Sequence, residues 1–278
     1  MRETGSTRIA ILYICTGKYT VFWKEFYETF EKNFLRASEK TYFVFTDSKK
    51  LPYATEKNVC LIPQKNLGWP DNTLQRFAMF VREEERFKDY DYTFFMNANM
   101  LCLKEVKEED FLPIKEDLLV AVDAIAYGKN PDDFTYDRNP LSKAYIPFGE
   151  GKYYVMGGLN GGKTGPYMKM VHELKDNVDE DTKNGVIALW HDESHLNRYI
   201  IGREDLKILP PSYGGIEEWD LPYEQIMLFR DKSRYFDVEA VKAGNFVGKL
   251  KLRLGRLKSK IAIRKRISGL LHLFKGEK

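Results

Sequence analysis

The sequence predicts an α/β domain with a mostly parallel central sheet flanked by helices. Three observations carry this. Residues 8–15, 41–46 and 92–96 are runs of apolar, aromatic and β-branched side chains without polar alternation, as in strands covered on both faces. Between them lies a segment with four-residue apolar spacing: Phe22, Phe26, Phe30 and Phe34. Strand and helix patterns then alternate over the first hundred residues, which implies a parallel sheet with crossover helices.

In order, residues 8–15 form the first strand, and Thr16-Gly17-Lys18 turns the chain into a helix over residues 19–38, with Trp23, Tyr27 and Leu35 beside the phenylalanine stripe. By burial preference that stripe is core, not a cofactor box. Residues 41–46 and 58–63 are the next strands, and residues 73–87 a helix carrying Phe77, Phe80, Val81 and Phe87. The strand at 92–96 follows. Residues 118–126 are another strand, 152–162 a strand running into a glycine-rich turn, and 165–177 a helix. There are no internal repeats, no GxGxxG after the first strand and no P-loop.

At 278 residues the chain holds one large domain, with the expected division 1–7 lead, 8–248 catalytic domain and 249–278 tail. The net charge of +3 conceals an asymmetry. The tail carries eleven Lys/Arg against one Glu, a balance of +10, which leaves 33 basic against 40 acidic residues elsewhere, or −7. The tail alternates basic and apolar residues, suiting either a cationic amphipathic helix on an anionic membrane face or a solvated basic end. It has a single Phe, Phe274, too few aromatics for base stacking, which argues against nucleic acid. Cys15, Cys60 and Cys102 are odd in number and form no CxxC, fitting a reduced, cytoplasmic compartment, with the tail allowing peripheral contact with the inner membrane face. Residues 1–7 contain no apolar signal-like core, and no run has membrane-span length.

Two stretches carry chemistry. The strand 92–96 stops at Asn97-Ala98-Asn99, beyond the carboxyl end of a strand, where ligands bind in such sheets. A carboxylate pair at this spacing would suggest a divalent metal holding a nucleotide diphosphate. Two amides cannot supply that charge, although they can bond sugar hydroxyls and phosphate oxygens. The bland alternative is a polar strand exit. The second stretch is Trp190-His191-Asp192-Glu193-Ser194-His195-Leu196-Asn197. His191 and His195 stand four apart, but the HExxH order of a zinc helix is not met, so zinc is disfavoured and one histidine is expected in the core. The carboxylates instead suit a sugar and a reacting centre, with Trp190 stacking on a pyranose.

Four blocks taken together resemble a known family: Phe134-Thr135-Tyr136-Asp137-Arg138, Ala144-Tyr145-Ile146-Pro147, Met156-Gly157-Gly158-Leu159-Asn160-Gly161-Gly162 and residues 190–197. They are similar to glycosyltransferase family six, which includes the histo-blood-group A and B transferases and the α1,3-galactosyltransferase. The resemblance runs from about residue 8 to about 245. It implies a GT-A type fold and retaining α1,3 transfer of galactose or N-acetylgalactosamine from a UDP-sugar to a galactose acceptor, fucosylated in the H-antigen manner.

The resemblance also implies roles. Ile14, Cys15, Thr16 and Tyr19 would line the uridine pocket, and Arg76 would reach the donor beside Asn97, Ala98 and Asn99. Asp192 would hold donor hydroxyls, and Glu193 would sit beneath the anomeric carbon. Thr135, Trp190 and His191 would face the acceptor or donor sugar. Met156, Gly157 and Gly158 would border the donor's C2 substituent; a glycine there leaves room for an acetamido group, favouring UDP-N-acetylgalactosamine. The family's mammalian members carry Asp-x-Asp with manganese where this chain has two asparagines, so no metal cofactor is expected. Something positive must then stabilise departing UDP. The candidates are Arg230, Lys232, Arg234, Lys242 (in the family's closing C-terminal segment) and Lys249, with Lys232 favoured. Two other readings stay open: a UDP-galactose enzyme, and a catalytically inactive glycan-binding relative.

Overall fold

A computed structural model describes residues 6–243. Residues 1–5, the end of the expected catalytic domain and the tail 249–278 lie outside the described residues. Ser6 and Thr7, expected in the lead, are joined to the body: Ser6 Oγ donates to Ala37 O at 3.0 Å and Glu39 N to Thr7 O at 2.8 Å.

The strands are β1 (Arg8–Ile14), β2 (Glu39–Thr46), β3 (Val59–Pro63), β4 (Tyr92–Met96), β5 (Met100–Cys102), β6 (Leu118–Val122), β7 (Val155–Lys163), β8 (Leu206–Leu209), β9 (Gly215–Ile216) and β10 (Met227–Phe229). The helices are α1 (Trp23–Asn33), α2 (Asp71–Leu74), α3 (Arg76–Arg82), α4 (Glu108–Phe111), α5 (Thr164–Lys183), α6 (Asp192–Tyr199) and α7 (Val238–Ala243). Seven strands form the central sheet in the order β3-β2-β1-β4-β7-β6-β8, and β5-β10-β9 make a small second sheet. All pairings in the large sheet are parallel except the two that β7 makes with β4 and β6.

Both faces of the sheet are covered. Ile9, Ile11 and Tyr13 of β1 join Phe26 and Phe30 of α1 in one core, while Ala10 and Leu12 join Phe80 of α3 and Val171 of α5 in the other. Alternate side chains of a strand point to opposite faces, so a strand covered twice needs apolar residues at every position.

Four expected boundaries moved. The first helix is split, with a tight 3-10 segment over Gly17–Phe22 before α1, and it ends at Asn33. Phe34 turns extended because it packs at 4.9 Å on Phe111, and Leu35 N bonds Val106 O at 2.9 Å. Tertiary burial overrides the four-residue repeat. The helix expected over 73–87 breaks at Gln75, and Arg76 turns into the cleft described below. β6 stops at Val122, where the Asp123 side chain accepts Ile125 N at 2.7 Å and caps a turn.

The glycine-rich block is no turn; it is the strand β7 itself. A Cβ on Gly161 would stand 2.2 Å from Phe94 Cδ1 and 2.5 Å from Thr93 O, so the glycine permits close approach of β4 to β7. Gly161→Ala is expected to cost about 1–3 kcal/mol, the usual penalty of overpacking a filled core. A thermal melt matching the wild type would contradict this.

Candidate active site

The large sheet presents the ends of β1 and β4 beside the start of β7. Parallel pairing brings Ile14, Thr16 and Asn97 to one edge, and the antiparallel β7 delivers Gly157 and Gly158 there, with Asn97 N donating to Gly158 O at 2.9 Å. A cleft opens at this edge. It is lined by Ile14, Thr16, Tyr19, Arg76, Asn97, Gly157, Gly158, Trp190, Asp192, Glu193 and Lys232, all expected site residues, and also by Trp69, Asn72, Thr73 and Phe95.

α6 brings the acids in. Its entry at His191 has φ 56°, a left-handed conformation uncommon for residues other than glycine, and this sharp turn places Asp192 and Glu193 in the first helical turn. The exposed helix donors there favour negative charge. Asp192 is 2% exposed and pairs with Arg76 at 2.5 Å. Arg76 also donates to Gly157 O at 2.8 Å and lies over the Phe95 ring at 3.9 Å. Burial pushes Asp192 up to about 6, against the pull of Arg76. Glu193 Oε1 accepts from Tyr154 Oη at 2.6 Å and Oε2 from Gly157 N at 2.8 Å. Burial raises it to about 7, with Tyr154 and Gly157 opposing and the nearby acids Asp123 and Asp192 adding to the rise.

A second cavity adjoins the cleft, lined by Asp123, Ile125, Ala126, Lys129, Asp133, Phe134, Thr135, Tyr154, Trp190 and Glu193. Trp190 and Glu193 border both. Trp190 is 47% exposed, an aromatic face available to a sugar.

The basic candidates sort themselves by partner. Arg230 pairs with Glu25 at 3.0 Å, Arg234 contacts Glu218, and Lys242 pairs with Glu239 at 3.1 Å. Lys249 lies outside the described residues. Lys232 has no carboxylate within ion-pair distance among the described residues and lines the cleft, its Nζ 5.4 Å from the Tyr19 ring centroid. Burial first, then the charges of Arg76 and Lys242, lower its pKa. A half-buried cation kept beside other cations is a place for an anion. Lys242 stands outside the cleft lining, its Nζ 5.9 Å from the ring of the lining residue Trp69.

Several expected site side chains are elsewhere. Cys15 is fully buried in the core, its thiol pushed up to about 12, and Ala98 is 1% exposed. Asn99 faces away from the cleft into the 230 segment: its Nδ2 donates to Arg230 O at 2.7 Å and its Oδ1 accepts Asn97 Nδ2 at 3.1 Å. Met156 is 3% exposed, packed where a Cβ on Gly214 would collide with it. His191 is buried against Trp69, with ring centroids 5.5 Å apart, and lines neither cavity. His195 is buried too, its Nε2 3.6 Å from Asp181 Oδ2, and burial lowers it to about 4, so both histidines are interior. The room inferred at Gly158 is occupied: a Cβ there would meet the Phe229 ring at 2.6 Å, so packing accounts for this glycine. Trp69 and Tyr154 were missed. A tryptophan in the Asn66-Leu67-Gly68-Trp69-Pro70 loop was the only signal for the first, and the second had none.

The strand end does not fit a divalent ion. Both of its donors are amides, Asn99 is committed at both ends of its side chain, and no three His, Cys, Asp or Glu side chains among the described residues gather as ligands.

Comparison with known proteins decides the family. Residues 3–235 match glycosyltransferase family 6. The chain belongs to this family. Its α/β fold, with a seven-stranded mostly parallel sheet, agrees with a GT-A type transferase. It is 31% identical over 226 residues to the O-antigen biosynthesis glycosyltransferase WbnI of Escherichia coli, covering 81% of this chain and 95% of that protein. It is 32% identical over 215 residues to histo-blood group ABO system transferase 1 of Rattus norvegicus, covering 75% and 61%. It is 27% identical over 212 residues to globoside alpha-1,3-N-acetylgalactosaminyltransferase 1 of Homo sapiens, covering 74% and 60%. The chain thus spans about three fifths of its mammalian relatives' length. As a family 6 glycosyltransferase it takes a sugar donor and a glycan acceptor. No helix among the described residues is long and apolar enough to cross a membrane.

Proposed function

We propose that the protein is a retaining α1,3-glycosyltransferase that moves N-acetylgalactosamine from its UDP ester to a galactose acceptor without a metal, the acceptor carrying a 2-linked fucose. The observation that carries this reading is Glu193, held at the junction of two cavities with Lys232 on the wall of one of them. The cleft takes the donor, with its diphosphate toward Lys232 and its sugar hydroxyls toward Asp192. The second cavity takes the acceptor, with Thr135 and Trp190 beside it.

In the reaction the acceptor O3 forms a bond to the anomeric carbon as the bond to the phosphate oxygen breaks. UDP leaves with the electron pair, and the acceptor proton passes to the departing phosphate oxygen. Lys232 neutralises the charge that develops there. Glu193 supports the positive charge of the oxocarbenium-like centre. Both its oxygens already accept hydrogen bonds, which lowers their nucleophilicity and favours this role over covalent attack.

The relatives' printed activities support an N-acetylgalactosamine donor, whereas the packing of Phe229 at Gly158 removes the steric argument against galactose. UDP-galactose is therefore the second reading. The test is transfer to 2′-fucosyllactose from each donor, in EDTA and again with manganese. Undiminished turnover in EDTA with the acetamido donor is expected. Turnover only with manganese would overturn the metal-free reading, a preference for UDP-galactose the donor, and no turnover with either would overturn this pairing of donor and acceptor and leave another donor, another acceptor or a glycan-binding protein.

A further inference from the structure

Tyr154 lies where the two-cavity reading assigns no chemistry, yet it is tied to the central acid. Its side chain is 4% exposed, packed on Tyr136 at 5.6 Å and Phe134 at 6.0 Å between ring centroids. Its hydroxyl donates to Glu193 Oε1 at 2.6 Å, and the polar side chain of Thr135, which lines the second cavity, lies beside it. A short relay thus runs from that cavity to the carboxylate, and such chains polarise one another.

The surroundings of Glu193 work against its charge. Asp192 precedes it on α6 and Asp123 stands at the end of β6, both adding negative potential. Arg76 on α3 is engaged by Asp192, Lys129 lies near Asp123, and Lys232 is on the cleft wall. Tyr154 and the Gly157 amide are the groups that bond the carboxylate directly.

We propose that Tyr154 is a positioning residue for Glu193: the wedged phenol fixes the plane of the carboxylate between the two cavities and favours its anionic form. The proposal rests on the transferase reading. A hydrogen bond to the charged form of an acid favours that form, and removing it lets burial and the neighbouring acids dominate. Burial and Glu193 push the phenol's own pKa far upward, so it stays a donor across the working range. Glu193 acts only when ionised, so turnover rises with pH through its titration near 7.

The test is Tyr154→Phe, read in two ways. The Glu193 carboxyl is titrated by 13C NMR, its signal assigned by loss in Glu193→Gln, and kcat is measured against pH. The carboxyl midpoint should move up by about one to two pH units, the equivalent of one charge-assisted hydrogen bond. The kcat deficit should be about 10–100-fold near pH 6.5 and should shrink steeply toward pH 9. A merely structural role would depress kcat evenly and leave the midpoint in place, and an unmoved midpoint overturns the proposal. Should the Phe variant not fold, Thr135→Val replaces it: a smaller upward shift supports the relay and none overturns it. A shifted midpoint in a protein whose wild type transfers no sugar would sink the transferase reading and leave the Tyr154 role standing.

Discussion

Glu193→Gln should lower sugar transfer by about three orders of magnitude, the scale on which loss of a single group aimed at developing charge acts. UDP binding should change little, because in the proposed arrangement the diphosphate is held by Lys232 and Glu193 faces the sugar. The variant should also be folded and no less stable. Burial lifts Glu193 to about 7 and Asp192 to about 6, so the folded protein holds protons that the unfolded chain has released by pH 5. Each of these carboxylates therefore contributes less stability as pH rises from about 4 to about 7, and above that range the charged forms cost stability. At pH 8 a neutral glutamine removes part of that cost, and the thermal midpoint should equal or exceed the wild-type value. Such a trade of activity against stability is expected where an acid is held in a site for chemistry. Isothermal titration with UDP, a transfer assay and a melt at pH 8 check the three parts; wild-type turnover would remove Glu193 from the reacting centre.

Lys232→Ala should reduce kcat by about 10²–10³-fold, the usual range for one preorganised donor on a developing anion. Donor KM should rise less than kcat falls, since the charge on the leaving oxygen grows only in the transition state. Removing a half-buried cation that feels the charges of Arg76 and Lys242 also relieves repulsion, so the empty protein should not be destabilised. Lys232→Arg should restore part of the rate, since a cation returns in a different shape. A kcat equal to wild type in Lys232→Ala would mean that another cation stabilises departing UDP, and Arg76 would be the next candidate.

Much of this was legible locally. Strand identity needed only unbroken apolar runs, and β4 matches the expected bounds residue for residue. The Asp192-Glu193 pair stood out as dense acids beside a tryptophan, and the two amides at the end of β4 stood out where a carboxylate pair would suggest a metal. Helix ends were less legible, because Phe34 obeys the four-residue repeat yet leaves the helix for Phe111. The glycine-rich block misled for a related reason. Glycine serves turns and close strand approach alike, and only the position of Phe94 shows which applies at Gly161.

The fold class and the family were readable from the sequence, because they rest on periodicity, burial preference and contiguous motifs, and the same motifs marked Asp192 and Glu193 as candidate acids. The tertiary structure alone decided which side chains reach the cleft. Tyr154 and Glu193 are 39 residues apart, and Asn99 and Arg230 are 131 apart. Lys232 is set apart from its neighbours Arg230 and Arg234 by what surrounds it: they have carboxylate partners, and it lines the cleft. Pairing, burial and the filling of a glycine's missing side chain depend on which distant segments pack together, and no local pattern encodes that.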